Sequence, residues 1–256
     1  MIDLHCHVLP GIDDGPETIE GSVALARDAA AAGIRTVVAT PHVSWRYPNE
    51  PDTIARLVDE VNARLLEEGV ELEVRPGGEI AMTHLAEIEP AMLARFGLGG
   101  GPWLLVEPPF TAVATGLDAI VWDLLRRGHR VLLAHPERCQ GLRRDPRMLE
   151  SLVSSGVLTS ITADSLTGRF GSEARRFSLQ LARDGMIHNV ASDAHDHVQR
   201  PPGIADALEQ AGLSPLADWL TCEVPAAILS GQEIPPRPAG AVSAGVPRRR
   251  FWQRHQ

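Results

Sequence analysis

The chain opens MIDLHCHVLP, where two histidines, His5 and His7, stand two residues apart in an apolar run. On an extended strand, side chains at i and i+2 leave the same face, so both imidazoles point one way and Cys6 the other. The spacing returns near the far end, where Asp193 and His195 close HNVASDAH. Between them, His42 closes TVVATPH, Glu79 closes RPGGE, Glu107 closes WLLVE and His135 closes RVLLAH. Imidazole mixed with carboxylate suits Zn, Mn or Fe, whereas Ca takes an all-oxygen shell. Burying these groups uncompensated among apolar strands is costly, and bound cations remove that cost, so the set points to a polynuclear metal site. The loop LPGIDDGPET adds Asp13 and Asp14, each able to serve as a ligand or as a helix-start acid. His84, His129 and His188 stand alone and are read as surface or hydrogen-bonded histidines.

Elements that could position these donors follow from the apolar pattern. Seven short runs read as strands: IDLHCHV, TVVATPH, LEVRPGGEI, WLLVEPP, RVLLAHPE, LTSITAD and HNVASDAH. Between them, ETIEGSVALARDAAAAG, DTIARLVDEVNARLLEEG, GLDAIVWDLLRRG and SEARRFSLQLARDG read as amphipathic helices running into a glycine suited to a C′ position. Alternating strands and helices imply an α/β fold with parallel strands covered on both faces, a barrel or a doubly wound sheet. In a barrel, the carboxyl ends of the strands surround one mouth, where ligands from different strands converge. No internal repeat is visible. Residues 1–234 are expected to form a single domain, and the Pro-, Gly- and Ala-rich residues 235–256 a flexible basic tail.

Composition excludes several classes. Of 24 basic residues, all arginine, five lie from Arg237 onward, leaving nineteen arginines against 33 acids in residues 1–236, a net charge of −14. An acidic body argues against nucleic-acid binding. No apolar run is long enough to span a membrane, and no basic segment precedes an apolar one at the start, so a cytoplasmic protein is expected. Cys6, Cys139 and Cys222 form no C-x-x-C pair, arguing against a disulfide framework or a thiolate zinc site. A cysteine phosphatase needs C-x5-R, and the residues six after these cysteines are Ile12, Asp145 and Ile228.

The ordered series D-L-H-C-H, T-P-H, G-G-E, V-E, A-H-P-E-R and S-D-A-H, across residues 1–230, resembles the polymerase and histidinol phosphatase superfamily. Within it, DDGP, AHPER, ITADSLTGRFG and SDAHDHVQRPP are similar to the bacterial manganese-dependent protein-tyrosine phosphatases, which act on tyrosine autokinases of capsular and exopolysaccharide synthesis. The resemblance implies a distorted seven-stranded (β/α)7 TIM-like barrel and three divalent ions, Mn first, with Fe or Zn as alternatives. It implies a first metal held by His5, His7, Glu79 and Asp193. A second shares Glu79 and adds Glu107 and His135, and a third uses His42, His195 and Asp14. Arg138 and Arg200 are candidates for forked contacts to phosphate oxygens, and Asp14 is counted with them as catalytic.

The implied reaction is metal-hydroxide attack on phosphotyrosine in the tail of a tyrosine kinase. Trp45, Arg46 and Tyr47 are candidates for a rim that packs on the tyrosine ring. Histidinol phosphate or another small phosphomonoester is the alternative substrate, and a non-catalytic partner protein of the same fold is the alternative class. An amidohydrolase with a carbamylated lysine is excluded, because the chain has no lysine. The tail RRRFWQRHQ could touch acidic lipids, and oligomerisation is left open.

Overall fold

The computed structural model describes residues 1–112 and 115–239. Among them are nine strands: β1 Ile2–Cys6, β2 Thr36–Ala39, β3 His42–Val43, β4 Glu73–Pro76, β5 Glu79–Ala81, β6 Trp103–Glu107, β7 Arg130–Ala134, β8 Leu158–Thr162 and β9 Asn189–Ala191. All pair in parallel, in a three-stranded sheet β1-β2-β4 and a six-stranded sheet β3-β5-β6-β7-β8-β9. The fold is therefore α/β with parallel sheets.

Each of the seven apolar runs contains a strand, but two runs are broken. Thr40 and Pro41 separate β2 from β3, and Gly77 and Gly78 separate β4 from β5. Pro41 has no N–H for a ladder. At Gly77 the two broken runs, paired in parallel, approach closely, and a Cβ there would lie 2.8 Å from Val38 Cγ1. Seven expected strands thus become nine, and neither sheet closes on itself. The end of β1 nevertheless meets the segment after β9 through a Cys6–Ala194 bridge, with His7 N donating to Ala194 O at 2.9 Å and Asp193 N to His5 O at 2.8 Å. Buried Asp3 fastens the same seam, accepting from Ser192 N at 3.1 Å and from Ser192 Oγ at 2.5 Å.

Helices cover the sheets by their apolar stripes. In the helix Pro51–Glu67, Ile54, Leu57, Val58, Val61 and Leu65 are buried, a spacing that keeps one face inward. Thr18 caps the helix Ile19–Ala31 by accepting from Gly21 N at 3.3 Å. Leu104, Leu105, Leu132 and Leu133 are essentially inaccessible, so successive strand residues are buried on both faces. Truncating one such leucine to alanine costs about 2–5 kcal/mol.

No helix among the described residues is long and apolar enough to cross a membrane. The start of the expected tail packs on the body: Trp219 Nε1 donates to Pro235 O at 3.0 Å, and Arg237 donates to Ala182 O at 2.7 Å. Residues 240–256, with RRRFWQRHQ and the expected lipid contact, lie outside the described residues.

Candidate metal centre

The donors predicted from the strand ends gather at the carboxyl ends of β1, β6, β7 and β9 and at the starts of β3 and β5, which follow the ends of β2 and β4 by three residues. His5 lies in β1 with His7 two residues on, His42 starts β3, Glu79 starts β5, Glu107 ends β6, His135 follows β7, and Asp193 and His195 follow β9. Among the described residues, only His135 and Asp193 combine a side chain with positive φ, at 28° and 53°. Such backbone is costly outside glycine and persists where the surroundings enforce it, often at functional sites.

The side chains converge on Glu79. His135 Nε2 lies 2.8 Å from Glu79 Oε1 and His5 Nε2 3.3 Å from it, while His42 Nδ1 lies 2.9 Å and His7 Nε2 3.5 Å from Oε2. Asp193 Oδ1 faces His5 Nε2 at 3.5 Å and His7 Nε2 at 3.6 Å. Asp14 Oδ1 lies 3.4 Å from both His42 Nε2 and His195 Nε2, and Glu107 Oε1 is 3.9 Å from His135 Nε2.

The arrangement fits cations better than a hydrogen-bond network. His5 and His7 turn their Nε2 atoms towards each other at 3.3 Å. Glu79 Oε2 is buried and makes no aligned hydrogen bond despite its distance to His42. His195 Nδ1 lies 2.9 Å from the Asp193 carbonyl, an acceptor only, so Nδ1 holds the proton and Nε2 is left as a ligand atom. His7 Nδ1 is likewise held by Asp13 Oδ2 at 2.7 Å. Outer-shell bonds of this kind fix the coordinating nitrogen of a metal-bound histidine. Four donor groups can each surround an ion: His7, Asp14, His42 and His195; His5, His7 and Asp193; His5, Glu79 and His135; and His42, Glu79 and Glu107. These sets overlap at His5, His7, His42 and Glu79. Glu107 falls with His42 and Glu79, and His135 with His5 and Glu79.

Charge is dense here. Burial alone would raise Glu79 and Asp193, yet His5 and the neighbouring imidazoles hold both well below the carboxylate range. Burial pulls His7 down, but Asp13 holds it well above an ordinary histidine. Glu107 is pushed up to about 7 by burial and by Glu79.

The structure separates the two loop acids. Asp13 accepts from His7, from Gly15 N at 2.9 Å and from His42 N at 3.1 Å, so its oxygens are engaged in positioning. Asp14 faces the ring nitrogens from the more exposed side. Gly15 makes the turn feasible, because a Cβ there would lie 2.4 Å from His7 O. Arg138 and Arg200 both reach Asp193 Oδ2, at 2.8 and 2.6 Å, and Arg200 Nε is buried without a partner. Tyr47 stacks on His42 with centroids 5.6 Å apart, whereas Trp45 turns to His84.

Sequence reasoning missed three side chains. Phe110 stacks on His135 at 5.4 Å and is 48% exposed. Phe170 lies under Arg138 at 4.3 Å. Glu137, fully buried, accepts from Thr162 N at 3.1 Å and Ser165 Oγ at 2.6 Å, and burial pushes its carboxyl up to about 7. All three stand in segments already conspicuous for other residues, EPPF, GRFG and AHPER.

Parallel strands delivering imidazoles and carboxylates to one point define an α/β protein built around a candidate N/O metal centre. Residues 1–215 match the family described as capsular polysaccharide synthesis, CpsB/CapC, and the chain belongs to it. Tyrosine-protein phosphatase YwqE of Bacillus subtilis is 40% identical over 197 residues, covering 77% of this chain and 78% of that protein. Tyrosine-protein phosphatase CpsB of Streptococcus pneumoniae is 28% identical over 221 residues, covering 82% and 88%. A solved structure from work on these two metal-dependent tyrosine phosphatases superposes with a TM-score of 0.81 at 36% identity, covering 93% of this chain and 99% of that one. Dihydropyrimidinase from Brevibacillus agri, at 12% identity, TM-score 0.53 and coverage of 88% and 69%, shares the fold alone.

Proposed function

We propose that this chain is a metal-dependent protein-tyrosine phosphatase, hydrolysing phosphotyrosine on a bacterial tyrosine kinase that governs polysaccharide synthesis or export. One observation carries the reading: four imidazoles lie 2.8–3.5 Å from a single buried carboxylate, Glu79. Its relatives YwqE and CpsB are tyrosine-protein phosphatases, which supports the substrate class.

The nine donors would hold three divalent ions, Mn in the first instance, with Glu79 available to the first two sites and Asp14, His42 and His195 to the third. Bound cations supply Lewis acidity, neutralising phosphoryl oxygens and acidifying water at neutral pH. The chain's own residues supply geometry. Asp13 holds the His7 proton at Nδ1, keeping Nε2 inward. Asp193 Oδ2 aligns the Arg138 and Arg200 guanidiniums, and the unpartnered Arg200 Nε is a donor for a phosphate oxygen. Phe110, exposed beside His135 and 4.8 Å beneath the Arg138 guanidinium, offers a wall for the substrate's ring. An aryl phosphate leaves as a phenolate, so no dedicated proton donor is required.

On this reading the nine strands form a distorted seven-stranded barrel, with β2 and β3, and β4 and β5, each one interrupted strand. The seam at Cys6 and Ala194 supports that reading. Residues 1–234 are the catalytic domain, residues from 235 the tail, and the cytoplasm the site of action.

The test is phosphate release from a tyrosine-phosphorylated peptide and from histidinol phosphate, after chelation and with Mn restored, in wild type and His5→Ala. Mn-dependent release from the peptide, lost in the variant, is expected. Preference for histidinol phosphate would replace the substrate, and turnover of neither would overturn the phosphatase reading.

A further inference from the structure

Beyond His135 the chain passes through Glu137 and Arg138 into the short helix Gln140–Arg144, which faces the helix Ser172–Asp184. Between them lies a cleft of about 280 Å³, lined by Gln140, Arg143, Arg144, Arg176, Phe177 and Gln180, with Glu173 as the single acid of the lining. None of these residues belongs to the metal centre.

Three guanidiniums therefore share one cleft with one carboxylate, on a body whose net charge is strongly negative. Their pairing differs from that of the arginines in surface ion pairs. Arg27, Arg56, Arg64, Arg95 and Arg126 each have an acid within ion-pair distance. Arg144 and Arg176 have no hydrogen bond or ion pair among the described residues. Arg143 reaches Glu173 at 3.5 Å, and Glu173 is largely exposed. The local sign is thus reversed, and unpaired guanidiniums present forked donors matched to carboxylate and phosphate. Gln140 and Gln180 add amide donors, and Phe177 is buried. The volume far exceeds the roughly 30 Å³ share of one water. That leaves room for an anionic side chain with its methylene groups.

The cleft is also tied to the reaction centre. Arg143 NH1 donates to Glu137 O at 2.9 Å and Arg138 O at 2.8 Å, while Arg138 NH1 contacts Asp193 at 2.8 Å. One wall of the cleft is therefore bonded to the loop that carries a phosphate-facing arginine.

We infer that this cleft is a second anion subsite, which holds the carboxylate or phosphate of a further acidic residue in the polypeptide whose phosphotyrosine occupies the metal centre. This rests on the phosphatase reading and extends it: the enzyme selects phosphotyrosine within an acidic or multiply phosphorylated stretch. Arg143 positions the loop and is left untouched in the test, whereas Arg144 and Arg176 are exposed, so their replacement leaves the fold and the metal centre intact.

The experiment measures kcat and KM of the metal-loaded full chain and of Arg144→Gln/Arg176→Gln. Substrates are phosphotyrosyl peptides that are otherwise neutral, or that carry one glutamate or one phosphoserine three, five or seven residues from the phosphotyrosine on either side. p-Nitrophenyl phosphate serves as the small substrate. For wild type, an anion at one favoured spacing lowers KM by about fivefold per guanidinium engaged, the upper range for an exposed charge pair. The double variant loses that gain, with kcat and p-nitrophenyl phosphate turnover unchanged. The glutamate and phosphoserine arms decide which anion is preferred. Equal KM for neutral and anionic peptides in wild type, or a gain that persists in the double variant, overturns the subsite while leaving the phosphatase reading intact. Absence of wild-type turnover of every aryl phosphate overturns both.

Discussion

The strand β9 has a histidine near each end, and the two ends treat it differently. His188, just before β9, meets no carboxylate: its contacts are Thr159 N and Oγ1 at 3.2 Å each and the Trp219 ring at 6.3 Å. Burial, aided by Arg237, pushes its pKa down to about 4. His195, beyond the other end, joins four further imidazoles around Asp13, Asp14, Glu79, Glu107 and Asp193. Withdrawal from water is common to both ends; the carboxylates are not. A histidine buried away from any carboxylate stays neutral and needs no ion, whereas imidazoles interleaved with buried carboxylates make a charge cluster that a cation stabilises.

The sharpest way to break this comparison is to neutralise its centre. Glu79→Gln keeps the shape of the side chain that four imidazoles surround, and should cost more than about a thousandfold in phosphotyrosine turnover together with bound metal, consistent with several kcal/mol of lost charge stabilisation. Metal analysis after dialysis checks this; a variant that retained full metal and turnover would show that the carboxylate is dispensable. A smaller effect separates the two loop acids. Asp13→Asn should weaken metal binding by about 10- to 100-fold, because His7 loses the partner that orients it. Asp14→Asn should lose one equivalent of metal and leave the inner donors occupied. Competition with a metal-sensitive dye distinguishes these outcomes, and the reverse pattern would exchange the roles of the two acids.

Smaller again are the arginines at the mouth. Arg138→Lys and Arg200→Lys keep the positive charge but lose the fork, so KM for an aryl phosphate should rise about tenfold with metal content unchanged. Because both reach Asp193 Oδ2, the double replacement should cost less than the product of the two. Strict multiplicativity would mean that they act on separate oxygens without sharing an anchor.

How much was legible follows from what each feature depends on. The seven runs and their donors could be read because period-two alternation and donor type are local properties; every strand-end donor reached the cluster. The two breaks are also written in the sequence, as Pro41 and the Gly77–Gly78 pair, because proline and glycine inside apolar runs interrupt a strand ladder. Asp13 and Asp14 could not be told apart, since neighbours on a turn face different ways and the choice depends on Gly15 approaching the His7 carbonyl from across the loop. Phe110 and Phe170 carry no periodic signal, and their meeting around Arg138 joins residues 60 positions apart in sequence. The meeting of His42 with Glu107, and of His5 with His135, depends likewise on space and not on local sequence.

The opposite end of β9 gives the mildest prediction. His188 has a folded-state pKa near 4, below the unfolded value of about 6.5. The folded state therefore resists protonation that the unfolded chain accepts. Its contribution to stability is fully present above about pH 6.5 and is lost progressively as pH falls towards 4, by about 1–2 kcal/mol after allowance for its partial exposure. Urea unfolding of wild type and His188→Gln at pH 7.5 and pH 4.5 isolates it, because every other titrating group is common to both chains. The gap between the two proteins should shrink in acid with turnover at neutral pH unaffected. A gap independent of pH would mean that His188 is protonated alike in both states. In that case the burial and lack of carboxylates at the amino end would not set its charge, and the contrast with the carboxylate-rich end would rest on the metal centre alone.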